Sequence, residues 1–232
     1  MAPYESKVAS LKRALFQEIA DADDVTVIEG GIGAGANLPF LSRGGRTRVI
    51  GLEPNRELAK QCAQRASAMQ IPLQLEESPL GEGSIPPHLC NVVGERLARI
   101  ARCLFFFDLV FNSSFRPWVL QADFAICTLL LCTVRCPSQA LQELLSCVKP
   151  GGRLFFIEHV AAPRNSTLRF QQALFDPLQQ AIVGGCHLTR DTAAIFEDCQ
   201  DKGLVRELQY ERVMIPDAAL ISPHIYGSAS VV

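Results

Sequence analysis

The feature that most constrains the fold is a glycine-rich bend that follows directly on a short apolar strand. Residues 25–28 are Val-Thr-Val-Ile, and residues 29–35 are Glu-Gly-Gly-Ile-Gly-Ala-Gly. The β-branched run predicts a strand, and the glycines allow a sharp turn that a bound group can approach without meeting a Cβ atom. We expect Ala36 to Leu41 to begin the next helix, whose free N–H groups would face that group.

Strands and helices alternate along the rest of the chain. After the first strand, the patterns predict strands at 48–52, 73–75, 122–127, 153–157, 207–215 and 224–232. They predict helices at 5–20, 55–69, 137–148, 165–183 and 189–202, with Asn55 as an N-cap. This order indicates an α/β fold: a doubly wound, mostly parallel seven-stranded sheet with an antiparallel strand at or near one edge. The 232 residues fit a single domain over 1–232.

Charge and cysteine spacing exclude two classes of site. Lys and Arg number 22 against 24 Asp and Glu, which is not the basic excess of a nucleic-acid-binding protein. None of the nine cysteines forms a CxxC pair or has zinc-ligand spacing to a histidine, so we expect no metal. Cys127, Cys132 and Cys136 lie in an apolar stretch and are interpreted as buried, reduced residues.

The glycine-rich bend alone does not identify its ligand, because Gly31-x-Gly33-x-x-Ala36 also satisfies the dinucleotide fingerprint. Glu29 favours another cofactor, since its carboxylate would repel a pyrophosphate but attract an ammonium or a sulfonium. Glu53 ends the second strand, where an acid accepts hydrogen bonds from ribose hydroxyls. A ribose occurs in both NAD and S-adenosyl-L-methionine, so Glu53 does not separate them.

At residues 149–154 the sequence Lys-Pro-Gly-Gly-Arg-Leu predicts a turn between a helix and an apolar strand. With this turn and the glycine-rich bend, the chain resembles the class I S-adenosylmethionine-dependent methyltransferases. More narrowly, it resembles their methyltransferase-like 7 subfamily, the thiol S-methyltransferases. That narrower resemblance is carried by Glu158-His159-Val160, Leu188-Thr189-Arg190 and Pro223-His224-Ile225-Tyr226-Gly227. It covers nearly the whole chain except residues 87–119.

The resemblance implies a role for each residue of the cofactor site. The methionine part would be held by Glu29, Gly31, Gly33 and Gly35. The ribose would be held by Glu53, with Pro54 beside the adenine, and Glu82 would bind the adenine amino group. The methyl-transfer crevice would be lined by Cys127 and Thr128.

An alkyl thiol is mostly protonated at neutral pH, so a nearby base would assist its methylation. His159 is the strongest candidate, because it follows the fifth strand at the edge of the sheet where open α/β folds bind ligands. The alternative is a histidine that hydrogen-bonds a neighbouring loop. His187 and His224 are weaker candidates for the base.

The acceptor is expected to be a small lipophilic molecule. Residues 127–130 read Cys-Thr-Leu-Leu, where methylases of nucleic-acid amino groups often carry Asn/Asp-Pro-Pro-Tyr/Phe. The leading hypothesis is S-methylation of an alkyl thiol, with an oxygen, a carbon or arsenite as alternative acceptors. Remoter alternatives are an NAD(P)-dependent oxidoreductase and a cofactor-binding module without catalysis.

Two features depart from the family. Animal members begin with an apolar membrane-anchoring segment, whereas residues 1–16 are polar and amphipathic, so we expect a cytoplasmic protein and leave peripheral membrane contact open. Residues 87–119 are an insertion, and five of the thirteen phenylalanines fall between positions 105 and 115. Three interpretations remain: a lid over the site, a hydrophobic loop that touches a membrane, or a translated intron.

Overall fold

The computed structural model describes residues 2–41, 46–77, 79–81 and 121–232. The 87–119 insertion and Glu82 lie outside the described residues. The strands are β1 (Val25–Gly30), β2 (Thr47–Leu52), β3 (Leu73–Glu76), β4 (Ala122–Thr128), β5 (Val148–His159), β6 (Val205–Met214) and β7 (Pro223–Val231). The helices are α1 (Ala2–Leu15), α2 (Gln17–Asp21), α3 (Arg56–Ala68), α4 (Pro137–Ser146), α5 (Thr167–Ile182) and α6 (Thr192–Asp201).

The described strands form one seven-stranded sheet in the order β3-β2-β1-β4-β5-β7-β6. The pairs from β3 to β5 are parallel, whereas β7 is antiparallel to both β5 and β6. The predicted fold class is therefore confirmed, with the antiparallel strand next to the edge. Strand order reverses between β1 and β4, and the carboxyl ends of strands at such a switch point bind ligands in open α/β sheets.

Alternate residues of the central strands face opposite sides of the sheet, and each side has its own core. On one side Val27 and Val49 pack with Phe16 and Ile19 from the start of the chain and with Cys62 from α3. The other side buries Ile28, Ile50 and Phe156 against α4 and α6, where the rings of Phe156 and Phe196 stack at 3.9 Å. Because both faces are covered, the strand ends are left as the open edge of the sheet.

Three predicted elements differ in the structure. The predicted helix over 36–41 is only a 3-10 turn, Leu38–Phe40, because Pro39 provides no N–H group and glycines follow in the sequence. The predicted opening helix over 5–20 is divided at Phe16 into α1 and α2.

The predicted turn at 149–152 lies inside β5. Between the pairs Ala122–Val148 and Phe124–Arg153, β5 is irregular, and Gly151 has a φ of +80°. Glycine permits that conformation, so the segment forms a bulge instead of a chain reversal.

Within the described ranges, no helix is long and apolar enough to cross a bilayer.

Candidate active site

The carboxyl ends of β1 and β4 bring together three polar side chains. Glu29 is 1% exposed, and its Oε1 accepts a hydrogen bond of 2.6 Å from Nδ2 of Asn37. The same Asn37 nitrogen donates to the Thr128 hydroxyl at 2.9 Å. Asn37 therefore connects the acid at the end of β1 to the hydroxyl at the end of β4, across the switch point of the sheet.

This network leaves two buried acceptor atoms unused. Oε2 of Glu29 and Oδ1 of Asn37 have no hydrogen-bond partner among the described residues. Burial raises the pKa of Glu29 to about 8, against the opposing effects of the Asn37 hydrogen bond and of Lys12. Unpartnered acceptors are costly in a protein interior, so this pair is suited to a cationic donor such as an ammonium group.

The glycine loop, residues 30–35, lies against Glu53. Gly31, Gly33 and Gly35 have φ values of +65°, +56° and +74°, a region in which a side chain is strained. The Gly33 N–H donates to Oε2 of Glu53 at 2.9 Å, and the Asn55 N–H donates to Oε1 at 2.8 Å. The structure thus brings four of the predicted cofactor residues together with Glu29, while Pro54 is exposed beside Glu53.

The structure places Cys127 in the interior. Its thiol donates to Oε1 of Glu158 at 3.0 Å, and the backbone N–H groups of Leu130 and Leu131 donate to the same oxygen at 2.9 and 3.1 Å. Glu158 is fully buried, and burial raises its pKa. It holds the turn that follows β4 against the end of β5, a role that the sequence patterns did not reveal.

His159 ends β5 and is 1% exposed, and neither of its ring nitrogens has a hydrogen-bond partner among the described residues. The alternative of a hydrogen bond to a neighbouring loop stays a prediction, because the Cys186 thiol, in the loop after α5, lies close enough to this imidazole to interact with it. The donor atoms of His159, Cys132 and Cys186 all lie within 4.8 Å of one another. Contact between the two thiols lowers the pKa of Cys186 and raises that of Cys132, so Cys186 ionises first.

The other two histidines in the described ranges have different surroundings. His224 pairs with His159 across β5 and β7, accepts or donates a 2.8 Å hydrogen bond with the Tyr4 hydroxyl, and has its pKa lowered to about 4 by burial. His187 lies 3.7 Å from Asp176 through its Nδ1 atom and is partly exposed. Among the described histidines, His159 is thus the one whose buried ring faces a pair of thiols.

Sequence reasoning missed Asn37, Glu158 and the association of Cys132 with Cys186. Asn37 lay within the stretch that carried the family resemblance, and its position shortly after a glycine-rich bend was the available signal. The two cysteines are 54 residues apart in the chain, so no local pattern connected them.

The chain matches known proteins over most of its length. A family model described as "Methyltransferase domain" matches residues 4–197. The thiol S-methyltransferase TMT1B of Rattus norvegicus is 34% identical over 230 residues, with 96% of this chain and 79% of the relative covered. The thiol S-methyltransferase TMT1A of Homo sapiens is 28% identical over 233 residues, with 97% and 80% covered. A SAM-dependent methyltransferase from Aquifex aeolicus has a similar structure: the TM-score is 0.57, the identity 16%, and 98% of each chain is covered.

Proposed function

The chain belongs to the methyltransferase domain family and, within it, to the thiol S-methyltransferases, and from this premise we propose that it methylates a small lipophilic thiol with S-adenosyl-L-methionine. The observation that carries the proposal is the buried acceptor pair, Oε2 of Glu29 and Oδ1 of Asn37, beside the glycine loop. An aminoacyl cofactor provides an ammonium group that can donate hydrogen bonds to these two oxygens, whereas a pyrophosphate would be repelled by them.

The described residues suit the methionine and ribose parts of this cofactor. Glu29 and Asn37 would receive the ammonium group, and the backbone of the glycine loop would lie along the methionine part. Glu53 is held on that loop through Gly33, which would place an acid where the ribose hydroxyls donate. Pro54 would lie beside the adenine, and Glu82 is proposed to bind the adenine amino group. When bound, S-adenosyl-L-methionine supplies a methyl group that its sulfonium activates.

One exposed face of α5 is apolar. Helix α5, which leads into the loop of Cys186, carries exposed side chains at Phe170, Leu174, Leu178 and Ile182, between 55% and 72% exposed. Exposed apolar residues in one patch are typical of a surface that receives a ligand or a partner. Together with Thr128 at the end of β4, this surface supports a lipophilic acceptor over a nucleic acid; Cys127, which we expected to line the crevice, is fully buried against Glu158 instead.

In the simplest mechanism, His159 accepts the proton of the acceptor thiol. The burial of this residue excludes water, and a ring nitrogen without a partner is free to accept a proton from the thiol. The resulting thiolate would be aligned behind the methyl group by the walls of the crevice. We expect His159→Ala to reduce the rate most at low pH, where less of the acceptor is ionised.

The test is a product assay with methyl-labelled S-adenosyl-L-methionine and a matched panel of an alkyl thiol, the corresponding alcohol and arsenite. We expect the label on sulfur, as the methyl thioether, and one S-adenosylhomocysteine formed for each thioether. Labelling of the alcohol or arsenite but not of the thiol would refute the proposed acceptor. A thermal shift with NADH but none with S-adenosylhomocysteine would refute the proposed cofactor and favour an oxidoreductase.

A further inference from the structure

We propose that Cys132, His159 and Cys186 bind one zinc ion, whose remaining coordination position receives the acceptor thiol. The inference rests on the proposed function for that last ligand, but the zinc site itself is argued from geometry alone. Spacing in the sequence gave no reason to expect a metal, because the three residues lie on different segments that only the fold brings together.

The distance between the two sulfur atoms matches a tetrahedral zinc ion. The Sγ atoms of Cys132 and Cys186 are 3.8 Å apart, and the donor atoms of all three residues lie within 4.8 Å of one another. Two sulfur atoms bound to zinc at about 2.3 Å and at the tetrahedral angle are separated by about 3.8 Å. A disulfide bond, at about 2.05 Å, would require these sulfur atoms to approach much more closely.

All three donor residues are buried. Cys132 and His159 are 1% exposed and Cys186 is 7% exposed. Both ring nitrogens of His159 lack a hydrogen-bond partner among the described residues, which is costly for a buried polar group. A metal bound to one nitrogen would remove half of that cost.

Hydrogen bonds hold each ligand-bearing segment in place. Nη1 of Arg190 donates to the carbonyl groups of Leu131 and Val134, on either side of Cys132, at 2.6 and 2.7 Å. The N–H of His187, the residue after Cys186, donates to the Cys132 carbonyl at 2.8 Å. The Thr192 hydroxyl donates to the His159 carbonyl at 2.7 Å.

Three protein ligands leave a tetrahedral zinc ion open, which is the pattern of catalytic sites. His224, whose ring centroid lies 6.0 Å from that of His159, already uses Nε2 with Tyr4 and Nδ1 with the Ser222 carbonyl. The open position therefore suits an external ligand, and soft zinc–thiolate chemistry suits a thiol. Because Cys132 lies on the turn after β4 and His159 ends β5, this position borders the crevice.

On zinc the acceptor thiol would bind as a thiolate and release one proton to solvent. A sulfur lone pair then forms the new S–CH₃ bond while the sulfonium S–CH₃ bond breaks. The products are a methyl thioether and S-adenosylhomocysteine, and no oxidant or reductant is needed. In this mechanism His159 is a ligand and the metal replaces it as the group that ionises the thiol.

The experiment measures the zinc content of the purified full chain, kept reduced, by elemental mass spectrometry. We expect about one zinc per chain, and a loss of at least tenfold in Cys132→Ser and in Cys186→Ser. Cys199→Ser is the matched control, because Cys199 is also buried but lies in α6 and is not one of the three clustered donor residues. Unchanged circular dichroism and S-adenosylhomocysteine affinity in the serine variants would show that they fold.

Cobalt(II) provides a second readout that does not depend on activity. The Co²⁺-loaded chain should show the thiolate charge-transfer absorption and the intense visible bands of a tetrahedral site, and addition of an alkyl thiol should shift them. Zinc at background level, equal zinc in the serine variants, or a Cys132–Cys186 disulfide in fresh protein would overturn the inference. In those cases thiol methylation by the metal-free enzyme would leave the proposed function intact, with His159 as the base.

Discussion

Binding of S-adenosylhomocysteine should release a proton from Glu29. Burial raises the pKa of this carboxyl to about 8, so at pH 7 about nine-tenths of the free protein carries it protonated. A bound ammonium next to Oε2 favours the ionised form. Binding at pH 7 should therefore release about 0.9 proton per site, and about 0.5 proton at pH 8.

Titration calorimetry in buffers of different ionisation enthalpy measures this number directly, as the slope of the binding enthalpy against the buffer enthalpy. Glu29→Gln should bind S-adenosylhomocysteine at least tenfold more weakly and with a slope near zero. Glu57→Gln is the matched control, because Glu57 is an exposed acid in the first turn of α3. Intact binding by the wild-type chain with no proton release would refute the assignment of the ammonium to Glu29.

Two further predictions follow from the same site. Because its pKa is raised, Glu29 makes a contribution to the stability of the ligand-free fold that is fully present below about pH 4.5, its ordinary pKa, and is lost as pH rises towards 8. In urea unfolding, the free-energy difference between the wild type and Glu29→Gln should fall by up to about 1.4 kcal/mol per pH unit across that window. Gly33→Ala has room for its methyl group, because the nearest atom would lie 3.9 Å away. Backbone strain should therefore lower the stability of the fold by only about 1–2 kcal/mol, whereas the binding of S-adenosylhomocysteine should weaken at least tenfold. Gly35→Ala would bring its Cβ to 2.7 Å from the Leu38 side chain, so this variant should lose more stability than Gly33→Ala in the same unfolding assay. Equal losses of stability in the two variants would contradict the packing described for both glycines.

The geometry of the strand end and glycine loop was predictable because its signals are local. The β-branched run, the acid at its end and the glycines that follow are consecutive, and their physical meaning depends on backbone geometry within a few residues. Glu53 was predictable for the same reason, since a strand end places an acid at the edge of the sheet. The alternation of strands and helices then fixed the parallel topology, including the antiparallel strand near one edge.

The remaining features depend on contacts between distant segments. Asn37 can bridge Glu29 and Thr128 only because β1 and β4 are neighbours in the sheet, with Glu29 paired to Ile126 and Gly30 to Cys127. The Pro-Gly-Gly bulge in β5 could not be predicted as a strand feature, because the same residues are equally typical of a reversing turn. The group of Cys132, His159 and Cys186 required three separate chain segments to be placed before any spacing had meaning.

Glu158 holds the acceptor side of the crevice in a fixed position relative to the methionine side. Its Oε1 atom accepts from the thiol of Cys127 and from two backbone N–H groups of the following turn, so one oxygen fixes both the end of β4 and the start of the segment that carries Cys132. A neutral amide at this position would have to offer its single carbonyl to the same three donors, with a weaker pull than a carboxylate provides. Because Thr128 contacts Asn37 on the cofactor side of that strand end, a shift in Glu158 would move the acceptor side relative to the methionine side. Alignment of nucleophile and methyl group therefore depends on a residue that needs to contact neither of them.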